Sequence, residues 1–130
     1  MADLTDKLSK EPKNIKVSVR ANEVMRKLTD DGYFSDAKSA YIACIFLALK
    51  QNLQETPRIG VKQITENKWD TTSVFYDSKT RVKETLGLLF PDIEDLIAFG
   101  QDLAEKGLEF VDFQRLSGGE ILPLFSSLEE

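Results

Sequence analysis

The sequence predicts a mainly α fold, with an N-terminal unit of one strand and two helices followed by a helical C-terminal extension. Three observations carry that expectation. Apolar and polar residues alternate from Ile15 to Arg20 (IKVSVR), the stretch from Ala40 to Leu49 (AYIACIFLAL) holds no charge, and apolar residues recur at helical spacing between Val82 and Leu103. At 130 residues the chain suits one ordinary domain, or a small dimerising module with an extension.

Residues 1–13 are polar and charged, with Pro12 near the end and lysines at Lys7, Lys10 and Lys13, and are expected to form a flexible arm. In the strand that follows, Ile15, Val17 and Val19 share one face while Lys16, Ser18 and Arg20 share the other, because successive side chains of an extended chain point to opposite sides. No nearby stretch alternates comparably. The unpaired backbone is therefore expected to pair with the same strand of a second copy, giving an antiparallel ribbon. A first helix is expected from about Ala21 to Asp31, with Asn22 as a candidate cap, Val24 and Leu28 one turn apart, and Gly32 at its end.

The uncharged stretch from Ala40 to Leu49 would be apolar around its whole circumference and must be buried on every side. It is half the length of about twenty residues that a bilayer requires. The unit 14–52 is too small to enclose it, whereas two interleaved copies would do so. From 53 to 77 the periodicity is lost. Pro57 and Gly60 interrupt the chain, VKQIT and TTSVFY are candidate short strands, and Trp69, Val74, Phe75 and Tyr76 form a cluster. With no Arg or Lys interleaved, the cluster is read as packing on a helix in preference to stacking on bases.

Residues 78–130 read as an acidic helical region. Ser78 is a candidate cap for a helix bearing Val82, Leu86 and Leu89, which Pro91 stops. Asp92 then stands in cap position with Asp95 in the first turn, both favoured by the helix dipole. Ile93, Leu96, Ile97 and Leu103 supply the apolar stripe, and Gly107 is a candidate C-cap. Two apolar stretches, LEFVDF and ILPLFSSL, follow on either side of Gly118 and Gly119.

Net charge is −5, unlike that of a protein that binds nucleic acid through a large positive field. Its distribution is uneven. Residues 1–65 carry 11 Lys and Arg against 8 Asp and Glu, a net of +3, whereas residues 66–130 carry 6 against 14, a net of −8. A mildly basic front can approach a polyanion, while the acidic back suits a protein partner. The start MADLTDKLSK lacks the apolar stretch of a signal peptide and no segment is long enough for a membrane, so the expected location is cytoplasmic.

The pattern over 14–52 resembles the ribbon-helix-helix DNA-binding proteins, among them the Arc and methionine repressors. The resemblance implies a homodimer whose two-stranded ribbon enters the major groove of duplex DNA. Carried over position by position, the base-reading residues would be Lys16, Ser18 and Arg20. The family also holds a phosphate at the N-terminus of its second helix. Here that end reads YFSDAKS, with Ser35 as N-cap, Lys38 as the nearby cation and Asp36 opposing an anion. A second resemblance spans roughly residues 20–128. The segments DDGYFSDAKSAYIACIFLAL, VKQITENKWDTTSVF and FGQDLAEKGLEFVDFQRL are similar to small proteins encoded beside DNA phosphorothioation (Dnd) systems, which implies a non-catalytic accessory or regulator of DNA modification and antiviral defence.

The residues offer little for catalysis. The chain has no histidine, Cys44 lies in the apolar helix without a basic partner, and neither a GxxxxGK nor a GxGxxG motif occurs. The acidic groups Asp30-Asp31 and Asp92, Glu94, Asp95 have structural explanations at helix ends. The expectation is thus a non-enzymatic protein without cofactor or metal, a DNA-binding accessory or regulatory protein acting through a dimeric ribbon. The alternative is an interaction module of a defence complex, making no direct DNA contact and using its acidic half to bind another protein. A third reading, a carboxylate-dependent metal enzyme, would require Mg²⁺ or Mn²⁺ binding.

Overall fold

The computed structural model describes residues 13–55 and 65–120. The expected arm falls outside them except for Lys13, as do most of VKQIT and all of ILPLFSSL. The mainly helical expectation holds: strand β1 (Asn14–Ser18), helices α1 (Val19–Asp30) and α2 (Ala37–Lys50), a 3₁₀ turn at Leu53–Glu55, strand β2 (Thr65–Asp70), and helices α3 (Thr71–Phe75), α4 (Val82–Leu89) and α5 (Leu96–Leu116).

β1 is shorter than its alternation predicts because Ser18 ends it. The Ser18 hydroxyl accepts the Ala21 amide at 3.0 Å and so caps α1, drawing Val19 and Arg20 into the helix and displacing Asn22 from the expected cap role. Val19, expected on the apolar face, is consequently 54% exposed. Gly32 does end the helix. Its φ of +84° lets the Gly32 amide reach Thr29 O at 3.0 Å and the Tyr33 amide reach Leu28 O at 3.0 Å, the paired bonds of a left-handed C-terminal cap.

The strand partner differs from the expected one. β1 pairs antiparallel with β2 of the same chain, with Ile15 opposite Trp69, Lys16 opposite Asn67 and Val17 opposite Glu66; the register slips between Ile15 and Lys16, leaving Lys68 as an extra residue. The sequence TENKWD hides this strand, since Trp69 is its only apolar residue. The neighbouring TTSVF, a candidate strand by composition, is instead the short helix α3.

α2 is a core helix, though not enclosed on every side: between Ala40 and Leu49 no residue is fully exposed, but Ile42, Ala43, Phe46 and Leu49, which share one face, are only half-buried. The cover comes from α5, whose most extensive packing is against α2, with α1 adding to it. One apolar core therefore runs from Ile15 and Val17 through Val24, Leu28, Ile45 and Leu47 to Leu86, Leu103, Leu108 and Val111. The C-terminal half is built into this core.

α5 begins at Asp95, whose carboxylate accepts the Ala98 amide at 3.0 Å; Asp92 lies in the preceding turn. The helix continues through Gly107, which is a crossing point and not a C-cap. A β-carbon there would collide with the backbone carbonyl of Cys44 on α2. α4 likewise starts from Arg81, with φ +48°, and not from Ser78, which lies in a turn where the Asp77 carboxylate accepts the Lys79 and Thr80 amides.

Candidate nucleic-acid interface

The three strand residues expected to read bases meet three different fates. Lys16 is exposed, opposite exposed Asn67 across the β1–β2 ribbon. Ser18 is 4% exposed, and Glu105 of α5 engages it twice: the Ser18 hydroxyl donates to Oε1 at 2.6 Å and its amide to Oε2 at 3.1 Å. Arg20 lies on α1 and pairs through Nη2 with Asp112 Oδ2 at 3.2 Å.

These contacts close one edge of the sheet. The Lys16 amide donates to Gln101 Oε1 at 3.1 Å, so the outward N–H groups of Lys16 and Ser18 both end on side chains of α5. An exchange of β1 strands between copies would have to displace them. Gln101, Glu105 and Asp112 follow at intervals of four and seven and thus share one stripe of the helix. The spacing of that stripe is visible in the sequence; its targets, the edge of β1 and Arg20 on α1, are not. Asp112 is also 3.9 Å from Arg115, which reaches Asp31 at 3.6 Å, so the acidic helix is tied to both ends of α1.

The expected phosphate site is built otherwise than read. Ser35 is exposed and precedes the cap; the N-cap of α2 is Asp36, whose Oδ1 accepts the Ser39 amide at 2.7 Å. That hydrogen bond, reinforced by the Ser39 hydroxyl and by the charge of Lys38, holds the Asp36 carboxyl below its ordinary value. A helix start already occupied by a carboxylate repels a phosphate. Half-buried Lys38 also acts on Asp77, whose carboxyl is lowered chiefly by the Thr80 amide.

Because the folded pKa of Asp36 is depressed, its stabilising contribution is present above the ordinary value of 3.8 and lost as pH falls below it through the folded value. Acid titrations of Asp36→Asn and the parent protein should therefore run parallel above that pH and converge below it. At neutral pH, Asp36→Ala should cost about 1 kcal/mol, measured by urea unfolding.

Groups with chemical potential elsewhere are buried or engaged. Desolvation pushes the Cys44 thiol far above its ordinary range, which leaves it a small hydrophobe. Tyr41 is fully buried, 5.2 Å from the Trp69 ring in an edge-on contact; its hydroxyl has no hydrogen-bond partner among the described residues, and burial followed by the charge of Glu105 raises its pKa. An open cleft of about 560 Å³ lies between Phe75, Tyr76, Arg81 and Leu96. Lys83 beside it bonds the Tyr76 hydroxyl at 2.7 Å and sits 4.9 Å from that ring. Among the described residues no cluster of three His, Cys, Asp or Glu could hold a metal ion, and no helix is long and apolar enough to cross a membrane.

The fold and this interface define a mainly helical protein with an internal two-stranded ribbon braced by an acidic helix. Comparison with known proteins found no matching family model, no matching curated protein and no matching solved structure.

Proposed function

We propose that the chain is a non-catalytic accessory module that acts through protein contact, with the ribbon unit serving as scaffold. One observation carries this reading: two of the three groups meant for the groove, Ser18 and Arg20, are bound by Glu105 and Asp112. The charge of those carboxylates opposes a phosphate approaching Ser18 or Arg20. The resemblance to proteins encoded beside phosphorothioation systems implies a partner involved in DNA modification or restriction.

A second reading retains direct DNA contact, because the ribbon exists within one chain and presents Lys16 and Asn67 outward as a cross-strand pair. A two-stranded ribbon fits a major groove. Fluorescence anisotropy on labelled duplex DNA at low salt separates the two. Protein contact predicts no salt-dependent binding and no difference between the parent and Lys16→Ala. Ribbon reading predicts affinity that falls steeply with salt and is lost in Lys16→Ala. Light scattering on the same samples should give the monomer mass of 14.7 kDa, since the strand and α2 both find their partners within the chain. Twice that mass, with the Ser18 amide unprotected from exchange, would favour strand exchange between copies.

A further inference from the structure

We infer that the corner where α4 turns into α5 is the docking surface for a basic amphipathic helix of a partner protein, an inference that rests on the protein-contact reading above. Leu88 and Leu89, in the last turn of α4, are 79% and 57% exposed, although Leu86 in the same turn is fully buried. Adjacent exposed leucines leave apolar area in water, so a covering surface gains from them. Behind them the corner is firm. Phe90 meets Phe99 edge-on with centroids 4.9 Å apart, and the Ile93 amide donates to Phe90 O at 3.2 Å, closing the turn.

Charge selects the occupant. The turn presents Asp92, Glu94 and Asp95 to solvent, and from Leu86 to Ala104 the chain holds these three and Asp102 but no Lys or Arg. Nucleic acid and anionic lipid surfaces would be repelled. A second copy related by a two-fold axis through this corner would set Asp92, Glu94 and Asp95 against themselves. A helix with leucines at i, i+3 or i+4 and i+7, flanked by lysine or arginine, meets both the apolar and the acidic parts of the surface.

The test uses the full chain and two labelled peptides of about five helical turns, with identical leucine positions and either lysine or glutamate elsewhere. The lysine peptide should bind, weaken with added salt, and protect the amides of residues 88–95 from hydrogen exchange, while the glutamate peptide should not bind. Leu88→Ser with Leu89→Ser, both exposed in the parent, should weaken the lysine peptide by about tenfold or more. Asp92→Asn with Glu94→Gln should weaken it without altering the apolar contact, which keeps the test valid if the leucine variant folds poorly. Equal affinity for the parent and both variants, or no binding of the lysine peptide, overturns the site. Conversion of a dimer to a monomer by the leucine variant would assign the corner to a second copy and likewise overturn it. Salt-dependent DNA binding lost in Lys16→Ala would instead overturn the parent reading, so the two failures are distinguishable.

Discussion

Gly107→Val should destabilise the protein by about 3 kcal/mol and lower its melting temperature by roughly 10 °C. At this residue α5 crosses α2, and a β-carbon would meet the carbonyl of Cys44, a backbone group that cannot rotate aside. The helices would have to separate along their largest shared surface, opening the core around Ile45, Leu47, Leu103 and Leu108. Alanine at the same position should be less harmful, because its helix propensity exceeds that of glycine by about 1 kcal/mol and offsets part of the clash. Gly87→Ala is the control. There the nearest obstacle is the end of the Leu96 side chain at 3.3 Å, so the change should be neutral or stabilising. Calorimetry on the three variants gives the order, and a Gly107→Val protein melting with the parent would refute the close crossing.

The crossing also governs the candidate interface. Gln101, Glu105 and Asp112 reach β1 and α1 only because α5 lies at this distance from α2. Gly107→Val should therefore speed hydrogen exchange at the Ser18 amide, beyond any effect of global stability.

Local signals in the sequence suffice where neighbouring residues alone determine the structure. The uncharged stretch from Ala40 to Leu49 marks a core helix, although its face along Ile42, Phe46 and Leu49 is only half-buried, and Gly32 marks the end of α1. Caps were harder, since serine and aspartate compete at neighbouring positions: Asp36 won over Ser35, and Asp95 over Asp92. What the sequence could not display was pairing at a distance. Trp69 alone marks β2 as a core strand, and roughly fifty residues separate it from Ile15, so the alternation of β1 by itself points to a second copy for the missing strand. The same blindness affected the base-reading set. Lys16, Ser18 and Arg20 alternate as a groove-facing strand should, but Glu105 and Asp112 lie some ninety residues away, and only the fold brings them against Ser18 and Arg20.

Phe75→Ala should cost 3–5 kcal/mol, a range typical of large aromatic truncations in a core. Phe75 is 1% exposed, and its ring fills the notch left by Gly100 on α5, where a β-carbon would strike the ring edge. A ring so placed cannot stack on a base. The substitution also tests the notch itself. In the parent background Gly100→Ala should destabilise, because the gain in helix propensity is smaller than the cost of shifting a buried ring. In the Phe75→Ala background the ring is gone and only the end of the Leu86 side chain, 3.2 Å from the β-carbon, has to give, so the same change should be neutral or stabilising, by filling part of the cavity and stiffening the helix. The two effects are thus non-additive, with a coupling on the order of 1–3 kcal/mol expected for residues in direct contact. Urea unfolding of the four proteins measures that coupling directly. A value near zero would mean that Phe75 does not occupy the notch, and would reopen the stacking role that the cluster of Trp69, Phe75 and Tyr76 first raised.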